Sequence, residues 1–181
     1  DRGVVIAYDP RIGSKEFADE AARVLAAAGI PVYVFDGIRP TPLLSYAVRA
    51  LGAAGGIVIT ASHNPPEYNG YKVYGPDGGQ LLPDHANDIA ARADAAVHYL
   101  DPPGSPVAPI HALGDEVDLR YLRDLWTTVE RVAGRVAPLP CRSDLGIVYT
   151  ALHGTGYRLV PAILERLGFS NVTLVEEQCV P

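Results

Sequence analysis

Short apolar runs alternate with longer segments of helical periodicity over the first sixty residues. The runs are rich in β-branched residues and cover Val4 to Tyr8, Val32 to Phe35 and Ile57 to Thr60. Such runs favour buried strands, and a strand stays apolar on both sides only where helices cover both faces of the sheet. The pattern therefore predicts an α/β fold, a three-layer α/β/α domain with a mainly parallel mixed sheet.

The ends of the first two helices follow from residues that suit helix termini. The first helix is predicted to begin after Ser14 as the N-cap and to stop at Gly29, because glycine readily adopts the left-handed conformation that follows a helix. In the second helix, Thr41 is the predicted cap and Pro42 the first helical residue, where a missing N–H removes no helical hydrogen bond.

Turn-forming and proline-rich stretches organise the rest of the chain. The stretch "YKVYGPDGGQL" predicts a strand, a tight turn and a short return, and a helix capped by Asp84 follows. The stretch "DPPGSPVAP" predicts a loop at residues 101–109, and a helix is expected from Glu116 to Ala133. A second proline-bearing stretch, "APLP", then predicts a boundary between a first domain, residues 1–140, and the beginning of a second, residues 141–181.

The segment near the carboxyl end repeats the order of the first unit. It gives a strand, a glycine-containing loop, a helix and a strand, and "GIVYTALHG" echoes the earlier "GIVITASHN". The repeat predicts a duplicated α/β unit. Two strands and one helix cannot cover their own sheet, so we expect the chain to be a fragment of a longer protein. We also expect apolar strands such as Val172 to Val175 to be exposed and to support a homo-oligomer.

Composition and charge exclude several classes of function. The formal net charge of −6 disfavours a nucleic-acid partner, because such partners require a basic face. No apolar run approaches the roughly 20 residues of a membrane span, and no leader precedes the first apolar run, so a cytoplasmic location is expected. Cys141 and Cys179 are too few for a disulfide framework and lack metal-ligand spacing, so we expect them to be buried thiols without a function.

The stretch "TASHNPPEYNGYK" carries the strongest chemical signal. Ligands of open α/β sheets bind beyond the carboxyl ends of strands, and Ser62 follows such an end. A serine needs a base or a cation to act as a nucleophile, and His63 and Lys72 are the local candidates, although His63 is adjacent in sequence and expected to point away. No G-x-S-x-G elbow is present, which disfavours a serine hydrolase. Ordinary turn chemistry is the alternative interpretation of the loop.

This stretch resembles the signature of the α-D-phosphohexomutases, the phosphoglucomutase and phosphomannomutase superfamily. Thr60 to Pro65 match its phosphoserine loop, and the likeness continues through "YNGYKVYGPDGGQ". The stretch "YTALHGTG" at residues 149–156 is similar to the start of that family's second domain, particularly in the phosphoglucomutase-2-like subgroup. The resemblance implies an isomerase of carbohydrate metabolism, in which a phosphoryl group moves between the 1- and 6-positions of a hexose phosphate through a phosphoserine and a bisphosphate intermediate.

The resemblance also assigns roles to individual residues. Ser62 matches the phosphoryl carrier, Lys72 the general acid/base, and Arg11 an arginine beside the phosphoserine. A guanidinium there would stabilise the negative charge that gathers on the transferred group. His63 and Asn64 match supporting loop residues.

The implied cofactors are Mg²⁺, bound through the phosphate on Ser62, and glucose 1,6-bisphosphate as activator. The family's other metal ligands are aspartates of an Asp-Gly-Asp loop that this chain does not contain, so the fragment alone is expected to be inactive. His153 and Gly154 either approach the same cleft or only pack their own loop. The substrate is left open among glucose, mannose, glucosamine and pentose phosphates, and a noncatalytic sugar-phosphate binding module is the alternative to an enzyme.

Overall fold

In a computed structural model of the chain, the structure describes residues 2–96, 107–133 and 144–180. The chain forms two compact units, residues 1–113 and residues 114–181. This division falls earlier than the predicted boundary at residue 140, and it groups the helix Asp115–Ala133 with the second unit. The stretch "APLP" at residues 137–140 lies outside the described residues, so the domain boundary there stays a prediction.

The first unit is built on a five-stranded sheet. Its elements in chain order are β1 (Val4–Tyr8), α1 (Ser14–Ala27), β2 (Val32–Phe35), α2 (Thr41–Ala50), β3 (Gly55–Ile59), β4 (Tyr71–Tyr74), α3 (Pro83–Ala95) and β5 (Ile110–Leu113). The strand order is β4-β3-β1-β2-β5, in which β4 is antiparallel to β3 and the other pairs are parallel. The predicted α/β fold with a mainly parallel mixed sheet is therefore confirmed.

Helices α1 and α2 cover opposite faces of this sheet. Gly56 of β3 lies beneath α2, and a Cβ added there would come within 2.7 Å of a Val48 methyl carbon, so the absence of a side chain allows the helix to approach closely. Helix α1 lies on the other face, where its Ala22 and Val34 of β2 line the same cavity of about 420 Å³. Because both faces are covered, β1 and β3 are almost completely buried, as their continuous apolar sequences predicted.

The beginning of α1 differs from the prediction. Ser14 is not the N-cap but the first helical residue; the cap is Gly13, in the left-handed region with φ 79°. The Ser14 side chain is completely buried and is used elsewhere, as described below. The predicted stop is confirmed: Gly29 has φ 81°, and its N–H donates to Ala26 O at 3.0 Å in a helix-ending turn.

Other helix starts shift by one or two residues. Helix α2 has Pro40 rather than Thr41 as its cap, and α3 has Leu82 rather than Asp84, which instead lies in the first turn, where an acidic charge suits the positive helix end. The predicted strand, turn and return after residue 70 are confirmed by β4 and by the Gly75 N–H bond to Gly79 O at 2.8 Å.

Strand β5 was not predicted. It directly follows the proline-rich stretch, of which residues 101–106 lie outside the described residues, and it is a four-residue edge strand with only its last residue buried. A run of four residues directly after a proline-rich stretch is too short to reveal a strand period in the sequence.

The second unit contains α4 (Asp115–Ala133), β6 (Ile147–Tyr149), α5 (Leu159–Arg166), β7 (Val172–Leu174) and a 3₁₀ helix (Glu176–Gln178). Strands β6 and β7 pair in parallel, as β1 and β2 do, which confirms the predicted strand, loop, helix and strand order. The exposure expected of Val172 to Val175 is met in part: Leu174 is 37% exposed, whereas Val172 and Val175 are half-buried, and Val148 of β6 is 75% exposed.

Two further expectations concern cysteines and membranes. Cys179 is a free, half-buried thiol rather than a buried one, and Cys141 lies outside the described residues. In the described ranges, the helices lack the length and apolar character that crossing a membrane requires.

The contact between α2 and the sheet generates a stability prediction. Leu44 is 0% exposed, so Leu44→Ala should lower the free energy of unfolding by about 2–5 kcal/mol through lost burial and a residual cavity. Leu51, just after α2, is 40% exposed, and Leu51→Ala should change it by about 0.5 kcal/mol or less. Urea denaturation followed by circular dichroism would measure both, and equal losses would contradict this account of the core.

Candidate active site

The candidate site is built where β1 and β3 end side by side. The two strands pair in register through Tyr8 and Ile59, so the residues that follow them emerge at the same edge of the sheet. The Asp9 N–H extends this pairing by donating to Ile59 O at 3.2 Å. The loop that leaves β3 at Thr60 returns to it at Gly70, whose carbonyl accepts the Thr60 N–H at 2.9 Å.

Ser62 occupies a strained and exposed turn in this loop. Its φ of 58° lies in the left-handed region, which costs a non-glycine residue about 1–2 kcal/mol. Two hydrogen bonds hold the turn: the Ser62 N–H donates to Thr60 Oγ1 at 3.0 Å, and the Asn64 N–H to Ala61 O at 3.1 Å. The strain is thus balanced by local bonds, and the hydroxyl is presented to solvent.

The loop places Ser62 against Lys72. Lys72 lies on β4, opposite Val58 of β3, so the antiparallel pairing carries it back toward the end of β3. The Lys72 Nζ donates a hydrogen bond of 2.6 Å to Ser62 Oγ. Among residues 2–96, 107–133 and 144–180, Lys72 is the sole hydrogen-bond partner of this hydroxyl. The structure therefore brings together the two residues that the sequence singled out as nucleophile and acid/base.

Arg11 lies beside the same loop, but its guanidinium points at the backbone. Nη1 is 2.6 Å from both Asn64 O and Pro65 O and 3.3 Å from Tyr68 O, and Nη2 donates to Ser62 O. Most of its donors are thus committed to loop carbonyls. Arg11 holds the shape of the loop, and its direct contact with a phosphate stays a prediction.

A carboxylate missed by the sequence analysis orients Arg11. Asp9 Oδ2 accepts from Arg11 Nε at 2.9 Å, and Asp9 Oδ1 accepts from the Arg11 backbone N–H at 3.1 Å. The Ser14 hydroxyl lies 2.8 Å from Asp9 Oδ1 and 2.7 Å from Asn69 Oδ1. The signal that could have found Asp9 was its place directly after β1, at the edge where ligand-binding residues gather.

The supporting roles expected of His63 and Asn64 at the phosphate region stay predictions. His63 is exposed, and within the described part of the chain it makes no hydrogen bond to Ser62. Asn64 acts through its backbone, as the donor to Ala61 O and as an acceptor from Arg11. The described residues therefore place no histidine on Ser62 Oγ, the arrangement that a serine hydrolase would require.

The second unit contains a loop with the same turn. Leu152 has φ 46°, and its N–H donates to Thr150 Oγ1 at 3.0 Å, as Ser62 does to Thr60. Gly154 N–H bonds Ala151 O at 2.8 Å, which matches the bond of Asn64. The echo between the two sequences is therefore confirmed in geometry. Because leucine occupies the position of Ser62, the turn does not depend on a serine hydroxyl.

His153 is held within its own unit. Its backbone N–H donates to Gln178 O at 2.8 Å, and Nδ1 of its ring lies 3.0 Å from Val180 O. The approach of His153 and Gly154 to the cleft at Ser62 stays a prediction.

The charged side chains of Lys72 and Arg11 contact the serine loop. Arg11 forms an ion pair with Asp9, and these two side chains are 9% and 12% exposed. Burial raises the pKa of the Tyr8 hydroxyl, so this neighbour of Asp9 is neutral at physiological pH. In the described ranges, three or more His, Cys, Asp or Glu side chains nowhere converge as a metal site would require.

Similarity to known proteins agrees with this geometry. Residues 1–99, more than half of the 181-residue chain, match the family described as "Phosphoglucomutase/phosphomannomutase, alpha/beta/alpha domain I". The chain belongs to the phosphoglucomutase/phosphomannomutase family. This membership confirms the resemblance carried by Thr60 to Pro65.

Curated relatives extend the likeness beyond that domain. A phosphoglucomutase from Staphylococcus haemolyticus is 42% identical over 97% of this chain, and one from Staphylococcus epidermidis is 43% identical over 98%. In each case the alignment covers 32% of the relative, so this phosphoglucomutase/phosphomannomutase family member spans about a third of their length.

Solved structures share the fold. A crystal structure of a candidate phosphomannomutase from Thermus thermophilus aligns with a TM-score of 0.75 and 29% identity, over 97% of this chain and 37% of that one. A phosphoglucomutase/phosphomannomutase family protein from Burkholderia thailandensis aligns with a TM-score of 0.63 and 26% identity, over 96% and 35%.

The paired turns generate a prediction with a built-in control. Thr60→Val removes the acceptor of the Ser62 N–H. Exchange of that amide with solvent should therefore accelerate about two- to tenfold, the factor that corresponds to the loss of one neutral hydrogen bond. The Leu152 amide should be unaffected. Thr150→Val should give the reverse result. Amide hydrogen exchange would measure both, and unchanged exchange in both variants would show that these bonds do not hold the turns.

Proposed function

We propose that the full-length protein containing this chain is a phosphohexomutase that carries its phosphoryl group on Ser62. The observation that supports this most directly is the 2.6 Å hydrogen bond from Lys72 Nζ to Ser62 Oγ. It lies on an exposed loop at the carboxyl edge of the sheet, in a member of the phosphoglucomutase/phosphomannomutase family.

The proposed reaction has two balanced transfers. A hydroxyl oxygen of the sugar phosphate attacks the phosphorus on Ser62, the Oγ–P bond breaks, the hydroxyl proton passes to water, and Oγ takes a proton from Lys72 Nζ. The resulting bisphosphate returns its other phosphoryl group to Oγ, which frees the isomeric monophosphate. Lys72 becomes neutral when it protonates Oγ in the first transfer. In the second transfer it takes that proton back as Oγ attacks phosphorus, and the sugar oxygen that leaves takes a proton from water.

The loop is suited to this chemistry because its atoms are fixed in advance. Pro65 and Pro66 restrict the backbone after the turn, and Arg11 binds loop carbonyls on both sides of Asn64. A preformed position for Oγ means that little motion has to be frozen in the transition state. Placement of the nucleophile is the contribution that this chain's own residues make.

Mg²⁺ is the proposed cofactor, and glucose 1,6-bisphosphate is the proposed activator. A phosphate on Ser62 would offer the hard oxygen ligands that Mg²⁺ prefers. The described residues provide no cluster of three metal-binding side chains to complete such a site, so we derive no step through the metal. Glucose 1,6-bisphosphate is proposed as the activator because it can load Ser62 with its phosphoryl group.

The proposed substrate is glucose 1-phosphate. The phosphoglucomutase relatives, at 42–43% identity, are more similar to this chain than the candidate phosphomannomutase structure, at 29%. Mannose, glucosamine and pentose phosphates are the alternatives, and a noncatalytic sugar-phosphate binding module is the alternative to an enzyme. A cytoplasmic location and a homo-oligomer also remain predictions.

The phosphoryl carrier can be tested by mass. Full-length protein incubated with glucose 1,6-bisphosphate and Mg²⁺ should gain one phosphate, which peptide mapping should localise to Ser62. Ser62→Ala should remove both the phosphate and the mutase activity while leaving the melting temperature unchanged. Retained turnover of glucose 1-phosphate in Ser62→Ala would overturn the mechanism, and absent phosphate and turnover in the wild type would favour a binding module.

The role of Lys72 can be tested against a matched lysine. Lys72→Met keeps the length of the side chain without its charge, and kcat should fall about 10²- to 10⁴-fold, as for loss of a general acid/base. Lys15 is the chain's other lysine and is paired with Asp19 on the surface of α1, so Lys15→Met should leave kcat unchanged. Steady-state kinetics would measure both, and equal kcat values would contradict the role given to Lys72.

A further inference from the structure

We propose that Asp9 is a positioning residue for phosphoryl transfer. Its carboxylate aims the Arg11 guanidinium at the backbone of the Ser62 loop, and that guanidinium fixes the position of Ser62 Oγ. This inference rests on the proposed function, because it deepens the account of the same site.

The first step is the geometry of the ion pair. Asp9 uses both carboxylate oxygens on Arg11, Oδ2 for the side-chain Nε at 2.9 Å and Oδ1 for the backbone N–H at 3.1 Å. A carboxylate on Nε fixes the plane of the guanidinium, and the donors that remain on Nη1 and Nη2 reach the loop carbonyls. The partners are 9% and 12% exposed, so water competes little for these bonds.

The second step is the set of carbonyls that Arg11 gathers. Ser62 O, Asn64 O, Pro65 O and Tyr68 O all lie within hydrogen-bond distance of its terminal nitrogens. Several carbonyl dipoles that converge on one point repel one another unless a cation lies between them. Arg11 therefore stabilises the convergence of these carbonyls, while the bonds to Thr60 Oγ1 and Ala61 O hold the left-handed turn at Ser62 itself.

Asp9 is itself held in place by neighbouring polar groups. The completely buried Ser14 hydroxyl lies 2.8 Å from Asp9 Oδ1 and 2.7 Å from Asn69 Oδ1. Asn69 Nδ2 donates to Ile12 O at 2.6 Å, and Ile12 N–H donates to Pro66 O at 3.3 Å. These bonds join the segment that follows β1 to the serine loop at Asn69 and at Pro66.

The consequence for chemistry is a specific kinetic signature. Loss of the Asp9 charge should release Arg11 and let Ser62 Oγ move relative to Lys72 Nζ, without removing any group that binds the sugar. A displacement of about 1 Å can cost on the order of 10²-fold in rate. We therefore expect kcat to fall while KM changes little.

The experiment uses the full-length protein and three variants, Asp9→Asn, Arg11→Ala and the double variant. Asp9→Asn should lower kcat for glucose 1-phosphate about 10- to 100-fold, with KM within about twofold of the wild type. In the Arg11→Ala background, Asp9→Asn should have no further effect, because Asp9 acts only through Arg11. Asp19→Asn, which breaks the exposed pair with Lys15, is the control and should leave kcat unchanged.

Chemical rescue separates positioning from folding. Added guanidinium at millimolar concentration should restore part of the activity of Arg11→Ala, because the ion can occupy the space between the carbonyls. It should not restore the double variant, which lacks the charged carboxylate that holds it. If Asp9→Asn does not fold, Arg11→Lys is the second test: it keeps the charge without the planar fork and should lose kcat as Arg11→Ala does.

Several results would overturn the inference. They are a kcat of Asp9→Asn equal to that of the wild type, additive losses in the double variant, equal rescue with and without Asp9, or full activity in Arg11→Lys. The failure of the proposed function gives a different result. In that case, wild-type protein would show no phosphate on Ser62 and no turnover of glucose 1-phosphate.

Discussion

The parallel, in-register pairing of β1 with β3 is the constraint on which the candidate site depends. It brings Asp9 and Thr60, about fifty residues apart in the chain, to one edge of the sheet. Two segments with no regular structure of their own then bind each other through Arg11 and Asn69. Burial of the apolar strands stabilises this pairing. Gly56 of β3 contributes because its missing side chain lets α2 pack closely against the sheet. Burial of the sheet thus determines where the polar groups can meet.

Much of the fold and the central pair of the site could be predicted from the sequence. Strands β1 and β2 were predicted to the residue, because β-branched apolar runs and glycine stops carry a local signal. Ser62 and Lys72 were found through a specific motif. The structure then paired them by hydrogen bonding across the β3–β4 hairpin.

What could not be predicted depends on contacts between distant residues. Ser14 was expected to cap a helix, yet its hydroxyl lies between Asp9 and Asn69, which is 55 positions away. Arg11 was expected beside the phosphoserine, which stays a prediction, but its bonds to four carbonyls 51–57 residues later were not foreseen. No local pattern reports such partners, and Asp9 carried no signal beyond its place after a strand. The two turns of sequence Thr-Ala-x-His are, by contrast, determined locally, because nearly the same short sequence gives the same geometry in both units.

The short separation of Ser62 and Lys72 has a consequence for the order of folding. Ten positions and one antiparallel hairpin separate them, so closing this contact costs little chain entropy. The contacts of Arg11 close loops more than fifty residues long and depend on the parallel pairing of β1 with β3, which is intrinsically slower. We therefore expect the nucleophile and its lysine to meet early on the folding pathway, in a loop that is still mobile. Arg11 and Asp9 would then lock the loop late, when the sheet is complete.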